Sequence, residues 1–98
     1  DELQFIALSF LKKKKYSVSD DAMSLLLDIF EYYRQQPNFA NARTVRNVLD
    51  QVIMNQNLRT EDEVDSDLII KLDVEDYLSD EGIDLNGSSM NERKIGFS

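Results

Sequence analysis

Residues 41–58 decide the fold, and they read NARTVRNVLDQVIMNQNL. Apolar side chains recur every three or four residues in this stretch, which is the spacing of one face of a helix. The members of this face are Val45, Val48, Leu49, Val52 and Ile53. Asn41 precedes them and is a favourable N-cap residue. The stretch therefore predicts an amphipathic helix from Asn41 to about Leu58, with its apolar face packed against other helices.

A first helix is predicted from about Glu2 to Lys14. Its apolar face comprises Leu3, Ile6, Ala7, Phe10 and Leu11. Phe5 and Leu8 fall on the opposite side, where a helix of a small domain normally shows polar residues. Two interpretations stay open. These two side chains either contact a neighbour that is missing from this chain, or they are scattered surface apolar residues of an ordinary kind.

A second helix is predicted between the other two. Ser19 is a suitable N-cap, and Asp20 and Asp21 follow in the first turn, where the helix dipole favours acids. The helix should end before Pro37, because the residue preceding a proline is disfavoured in helical geometry. Its apolar face comprises Ala22, Leu25, Leu26, Ile29, Phe30 and Tyr33. Three such helices can bury their apolar faces against one another.

The chain changes character after Thr60. A β-prone run near Ile69–Leu72 predicts a short strand, which could pair with another near Tyr16–Val18. Asp73 is expected to cap a brief fourth helix that ends at Leu78. Residues 81–98 contain Gly, Asn and Ser and are typical of a flexible tail, so the predicted domain spans residues 1–80. The predicted fold class is mainly α: a small bundle of three main helices and a short fourth, with two short β-strand stubs.

Composition excludes several functions. Histidine and cysteine are absent, which removes the commonest general base, the thiolate ligands of metals and any disulfide. Residues 60–85 carry eleven acidic side chains against the single Lys71, so nucleic acid is not an expected partner. Their carboxylates lack the spacing of a calcium loop, and we interpret them as solvated surface. No apolar run is long enough to span a membrane, and a water-soluble, cytoplasmic protein is expected.

The start of the third helix departs from the usual charge pattern. A helix N-terminus prefers acids, yet this one carries Arg43 and Arg46 and has no acid before Asp50. Arg43 lies nearly opposite the apolar face, whereas Arg46 lies at its edge beside Ile53. Free backbone N–H groups together with a guanidinium form a receptor for an anion such as phosphate. In the alternative interpretation, both arginines pair with nearby acids such as Asp50.

Residues 39–49, FANARTVRNVL, continuing to 56–59, QNLR, resemble the sensor-2 region of AAA+ ATPases. The similarity is to the branch that contains the stage V sporulation protein K, the CbbX-type rubisco activases and the type VII secretion ATPases. In that branch a helical lid closes the ATPase module, and its third helix opens with a similar phrase. Residues 72–77, LDVEDY, look like the closing turn of that lid. The resemblance covers roughly residues 2–79.

The resemblance implies specific roles. Arg43 matches the sensor-2 arginine, which reaches the terminal phosphates of ATP from the lid, while Asn41 and Ala42 are weaker candidates for the adenine side of the pocket. Arg46 is assigned either a structural role within the lid or a contact at the boundary between the lid and the large domain. Phe5 and Leu8 would pack on the large domain or on a neighbouring subunit.

The same resemblance implies a parent protein larger than this chain. The chain begins at Asp1 with a helix starting almost at once, so we expect a segment of a longer polypeptide. The parent would be a hexameric ATPase that binds ATP and Mg²⁺ through an upstream large domain and remodels a protein substrate. The isolated segment would not be an enzyme and would hold no cofactor. The alternative function is an acidic helical module for protein–protein interaction.

Overall fold

Four helices and two very short strands make up the computed structural model, which describes residues 2–62 and 67–85. In chain order they are α1 (Glu2–Lys13), β1 (Ser17–Val18), α2 (Asp20–Arg34), α3 (Asn41–Arg59), β2 (Leu68–Ile69) and α4 (Lys71–Glu81). The predicted class, a mainly helical bundle with two strand stubs, is confirmed. None of these helices combines the length and the apolar composition needed to cross a lipid bilayer.

The core forms where the apolar faces of the helices meet. The fully buried side chains include Leu3 and Leu11 of α1, Leu26 and Phe30 of α2, and Leu49 of α3. Ile6, Phe10, Leu25, Tyr33 and Ile53, also predicted to face inward, are partly buried at its margin. Met23 and Gln56 are buried as well, and the sequence pattern did not indicate either of them. Helix α3 contacts the other three helices and β2, so it is the central element of the bundle.

Helix α2 has the predicted N-cap. The Oγ atom of Ser19 accepts a hydrogen bond from the N–H of Ala22 at 3.3 Å, and the Ser19 hydroxyl donates to Oδ1 of Asp21 at 2.6 Å. This hydrogen bond from Ser19 is the main reason that the pKa of Asp21 lies below its usual value. The helix ends at Arg34, ahead of Pro37 as expected.

The start of α3 differs from the prediction by one residue. Ala40, rather than Asn41, is the N-cap, and no side chain caps the helix there. Instead, the N–H of Ala40 donates to Oγ1 of Thr44 at 3.3 Å. Asn41 is the first helical residue and is exposed. The free amide groups of the first turn are therefore not satisfied by a capping side chain.

The two strands pair as anticipated, but the second one begins earlier and is shorter than predicted. They are parallel, with Ser17 opposite Leu68 and Val18 opposite Ile69. The predicted strand at Ile69–Leu72 was wrong at its end, because Lys71 already begins α4. The pair ties the connection after α1 to the segment before α4.

Helix α4 corrects two predictions. Asp73 is not the N-cap but the third helical residue, and its Oδ2 accepts the N–H of the true N-cap, Ile70, at 2.9 Å. Its side chain is completely buried, so the interpretation of the acidic run as solvated surface is wrong for this residue. The helix also continues to Glu81 instead of ending at Leu78.

Gly82 ends α4 in the left-handed conformation, with φ 67°, which glycine adopts without a steric penalty. The N–H groups of Gly82 and Ile83 return to the carbonyls of Ser79 and Leu78, closing the last turn. Ile83 and Leu85 then pack against the core. The proposed boundary at residue 80 remains a prediction, and residues 86–98 of the predicted tail lie outside the described residues.

Candidate functional site

Arg43 is the third residue of α3, and its side chain is exposed. The first turn contains no acidic residue. The first N–H groups of any α-helix have no carbonyl partner within the helix, so this end carries a partial positive charge. A cationic side chain at this position adds to that charge instead of offsetting it. The end of α3 is consequently attractive to an anion.

The arginines of α3 differ in whether they form an ion pair. Within residues 2–62 and 67–85, ion pairs join Arg34 to Glu31 and Arg59 to Asp73, and neither Arg43 nor Arg46 takes part in one. The alternative interpretation, in which Arg43 and Arg46 pair with Asp50, is therefore not what the described part of the chain shows. Among the described residues, neither guanidinium group is held by an acid.

The other candidate residues are also accessible. Asn41 and Ala42 are exposed and directly precede Arg43, and we call this end of α3 the Arg43 surface. Arg46 is exposed one turn further along the helix. Phe5 and Leu8 are 72% and 45% exposed, and they lie outside the core as the helical pattern predicts. Phe5 and Leu8 belong to α1, whereas Arg43 belongs to α3.

A second feature was missed by sequence reasoning: an open groove of about 510 Å³ among α2, α3 and α4. We call it the tyrosine groove, and its lining includes Tyr33, Thr44, Asn47, Tyr77 and Glu81. The hydroxyl oxygens of Tyr33 and Tyr77 are 2.7 Å apart and hydrogen-bonded. Burial, followed by this hydrogen bond, raises the pKa of Tyr77 far above its usual value. The sequence indicates only that the hydroxyl groups of both tyrosines need hydrogen-bond partners when buried. That the two hydroxyls pair with each other depends on how α2 packs against α4.

A third feature holds the far end of α3 in place. The Nε and Nη2 atoms of Arg59 donate to Oδ1 and Oδ2 of Asp73 at 2.8 and 3.1 Å, a two-pronged geometry that favours arginine. Nη2 also donates to the carbonyl of Leu68 at 3.0 Å. Asn55 adds a bond from its side-chain amide to the carbonyl of Asp73 at 3.2 Å. These contacts fix β2 and the start of α4 to α3, so they set the angle of α3 in the bundle.

Metal ligands do not assemble in the described part of the chain. No group of three or more Asp, Glu, His or Cys side chains comes together among those residues. The chemistry available at the Arg43 surface is the binding of an anion through N–H donors.

The geometry defines a class of protein: a small helical domain that presents Arg43, which forms no ion pair within the described residues, at an uncapped helix end. The sequence pattern of the AAA lid domain matches residues 1–85. This match covers most of the chain, and the chain belongs to the AAA lid domain family.

Curated relatives support the same placement. The chain is 40% identical over 58 residues to Protein CfxQ of Xanthobacter flavus, which is 59% of this chain and 18% of that protein. It is 36% identical over 63 residues to the chromosomal Protein CbxX of Cupriavidus necator, covering 64% of this chain and 20% of the relative. It is 36% identical over 56 residues to the chloroplastic ribulose bisphosphate carboxylase/oxygenase activase of Cyanidioschyzon merolae, covering 57% and 19%.

The matched segment spans only about a fifth of the length of these relatives. No solved structure matches the chain significantly.

Proposed function

We propose that this chain is the lid of an AAA+ ATPase and that Arg43 acts as its sensor-2 arginine. In this role the guanidinium contacts the terminal phosphates of an ATP molecule held by a larger domain of the same protein. The observation that carries the proposal is the exposed Arg43 at the acid-free start of α3, which forms no ion pair within the part of the chain that the structure describes. Planar N–H donors of this kind suit phosphate oxygens, and a guanidinium can stabilise the charge of phosphoryl transfer.

The remaining residues of the surface receive supporting roles. Asn41 and Ala42 lie beside Arg43 and would face the adenine side of the nucleotide. Arg46, one turn along α3, would contact the large domain at the seam between the two domains. Mg²⁺ and the groups that activate water would be supplied by the larger domain. In the absence of that domain, the lid hydrolyses no ATP.

The lid also has a mechanical role in the proposal. A contact that exists only while the terminal phosphate is present changes the angle of the lid when the phosphate leaves. Helix α3 carries Arg43 in its first turn and is anchored to α4 by Arg59 at its other end. It would therefore transmit a displacement of the phosphate to the whole bundle. The parent would use this motion, as a hexameric ring in the cytoplasm, to remodel a protein substrate.

The names of the relatives support a proposal about the branch of the family. Their names include Protein CfxQ, Protein CbxX and a ribulose bisphosphate carboxylase/oxygenase activase. We propose that the parent belongs to the branch that contains these proteins and the stage V sporulation protein K. The substrate that we propose for the parent is a protein.

The test is the steady-state ATPase activity and the nucleotide affinity of the full-length parent. Arg43→Ala is expected to lower turnover or affinity at least about tenfold, equivalent to roughly 1.4 kcal/mol. Arg46→Ala is the matched comparison, because it removes the same charge one turn further along α3, and its effect should be clearly smaller. A parent without ATPase activity, or an Arg43→Ala variant with unchanged kinetics, would favour the interaction module instead.

A further inference from the structure

The buried part of the tyrosine groove is aromatic and apolar. Tyr33 of α2, Val48 of α3 and Tyr77 of α4 line it. Val48 and Tyr77 are only 2% and 5% exposed, and Tyr33 is half-buried. The hydroxyl oxygens of the two tyrosines lie 2.7 Å apart, so the two side chains hold each other in place. A planar part of a ligand can therefore rest on aromatic surface that is already fixed.

The exposed part of the same lining carries negative charge and oxygen acceptors. Asp50 of α3 and Glu81 of α4 are acidic, and both are exposed. Asn47 and Gln51 add amide oxygens. Burial is the main cause of the raised pKa of Tyr77, and the negative charge of Glu81 adds to it. The Glu81 carboxylate therefore acts electrostatically on the buried part of the groove.

The two acids of the groove have no cation of their own within the described ranges. No basic side chain of residues 2–62 and 67–85 lines the groove, and neither Asp50 nor Glu81 forms an ion pair there. A bound Ca²⁺ is surrounded by about six to eight oxygen ligands. Among the described residues, no three metal-binding side chains come together, so the donor set suits an organic cation with N–H groups better.

We propose that the tyrosine groove binds an arginine side chain on a peptide segment of a partner protein. A guanidinium is planar, stacks on aromatic rings and donates hydrogen bonds to several oxygens at once. In the groove it would rest on the two tyrosines and donate to the carboxylates of Asp50 and Glu81. The ammonium group of a lysine is a compact point charge, so it would make less use of the aromatic surface.

The chain itself offers a less suitable cation. Residues 86–98 contain Arg93 and Lys94, but Glu92 directly precedes them and would be repelled by the two acids of the groove. A segment of a partner that carries an arginine without a neighbouring acid is therefore the better occupant. This binding goes beyond the proposed phosphate sensing, because it needs no nucleotide and involves no contact with Arg43.

The first measurement is an NMR titration of the 98-residue chain with blocked peptides in which one arginine, lysine or citrulline is flanked by glycines. Citrulline has nearly the shape of arginine but no charge. The arginine peptide should shift the amide signals of Asn47, Gln51 and Glu81, with a Kd on the order of 1 mM. The lysine peptide should bind at least about threefold more weakly, and the citrulline peptide at least about tenfold. Unchanged spectra up to about 20 mM arginine peptide, or equal binding of the citrulline peptide, would overturn the proposal.

Removal of the two charges locates the binding site. Asp50→Asn/Glu81→Gln should weaken binding of the arginine peptide at least about tenfold, because both carboxylates are lost while the shape of the groove is kept. Asp76→Asn/Asp80→Asn is the matched control, since it removes two exposed acids that do not line the groove, and it should change the affinity less than about twofold. Circular dichroism confirms the fold of each variant. Equal weakening by the two variants would reduce the binding to a general attraction by an acidic chain and contradict the proposal.

A third variant, Arg93→Gln/Lys94→Gln, tests the chain's own basic residues as the occupant. It should bind the arginine peptide with the affinity of the wild type, because the groove is expected to be open to a partner. If the variant binds the peptide at least about tenfold more tightly, residues 86–98 compete for the groove, and the assignment to a partner protein is wrong.

Discussion

At the residue scale, Asp73 is a carboxylate with no exposed surface, and Arg59 and the N–H of Ile70 satisfy it. Removing one member of a buried ion pair leaves the other charge without compensation, which costs far more than the pair itself contributes. An exposed pair between Arg34 and Glu31, at 3.4 Å, provides an internal reference, because surface pairs contribute little.

Arg59→Met should therefore lower the free energy of unfolding by about 3 kcal/mol, because Asp73 stays buried without its cation. Arg34→Met, which breaks the exposed pair, should lower it by less than about 1 kcal/mol. Urea unfolding followed by circular dichroism measures both. Equal effects of the two substitutions would show that the Arg59–Asp73 pair does not hold α4 to α3.

Tyr77 gives a second residue-scale prediction, on pH. Its pKa in the folded chain is raised from the usual 10.0, mainly by burial and then by the hydrogen bond to Tyr33. A raised pKa contributes stability that is complete below the pKa of the unfolded chain and is lost as the pH rises above it. The free energy of unfolding should thus fall above about pH 10, and this fall should be less steep in Tyr77→Phe.

Tyr16→Phe is the control for this measurement, because it removes a tyrosine hydroxyl whose bond to Asn57 is exposed. Chemical unfolding at several values between about pH 8 and about pH 11 compares the three chains. If Tyr77→Phe and wild type lose stability equally over this range, ionisation of Tyr77 is not coupled to folding.

At the element scale, the N-terminal ends of α2 and α3 differ in their capping and in their charge. Helix α2 has a side-chain N-cap and two acids in its first turn, which match its dipole. Helix α3 has neither, although it is the longest helix and the centre of the bundle. Packing of its apolar face compensates for the poor start, and the uncapped end remains available for an anion.

Ser19→Ala should lower the free energy of unfolding by about 1 kcal/mol, because the N–H of Ala22 loses its acceptor. The same substitution should raise the pKa of Asp21 towards its usual value, since the Ser19 hydroxyl is the main cause of the lowered pKa. Stability associated with a lowered pKa is present above the pKa of the unfolded chain and is lost on acidification. Urea unfolding and NMR titration of the Asp21 carboxyl measure the two effects.

Ser24→Ala is the matched control, because Ser24 is an exposed residue inside the same helix and caps nothing. It should leave both the stability and the titration of Asp21 nearly unchanged. A loss of stability as large as that of Ser19→Ala would assign the effect to the helix interior instead of the cap.

At the scale of the whole molecule, the two ends of α3 carry different features. The Arg43 surface lies at the start of α3, whereas the Arg59–Asp73 pair lies at the opposite end of the same helix. Exposed apolar side chains are also present on α1, at Phe5 and Leu8, and on α3, at Met54 and Leu58. A lid that moves as one body would connect a nucleotide at one surface with a neighbouring subunit at another.

The elements could be predicted because each depends on residues close together in the chain. The spacing of Val45, Leu49 and Val52 indicates a helix and its buried face. Ser19 and Pro37 indicate where α2 begins and ends. The exposure of Arg43 could also be predicted, since its position opposite the apolar face follows from 100° of rotation per residue.

The sequence by itself therefore determined the helical class, the order of the elements and the outward position of Arg43. Only the tertiary structure decided that Arg59 meets Asp73 and that Tyr33 meets Tyr77, which are 14 and 44 residues apart. It also decided that Asp73, which the sequence analysis interpreted as part of a solvated acidic segment, is buried. The physical reason is that helical periodicity is set by local backbone geometry, whereas pairing and burial of a polar group depend on which other element packs against it.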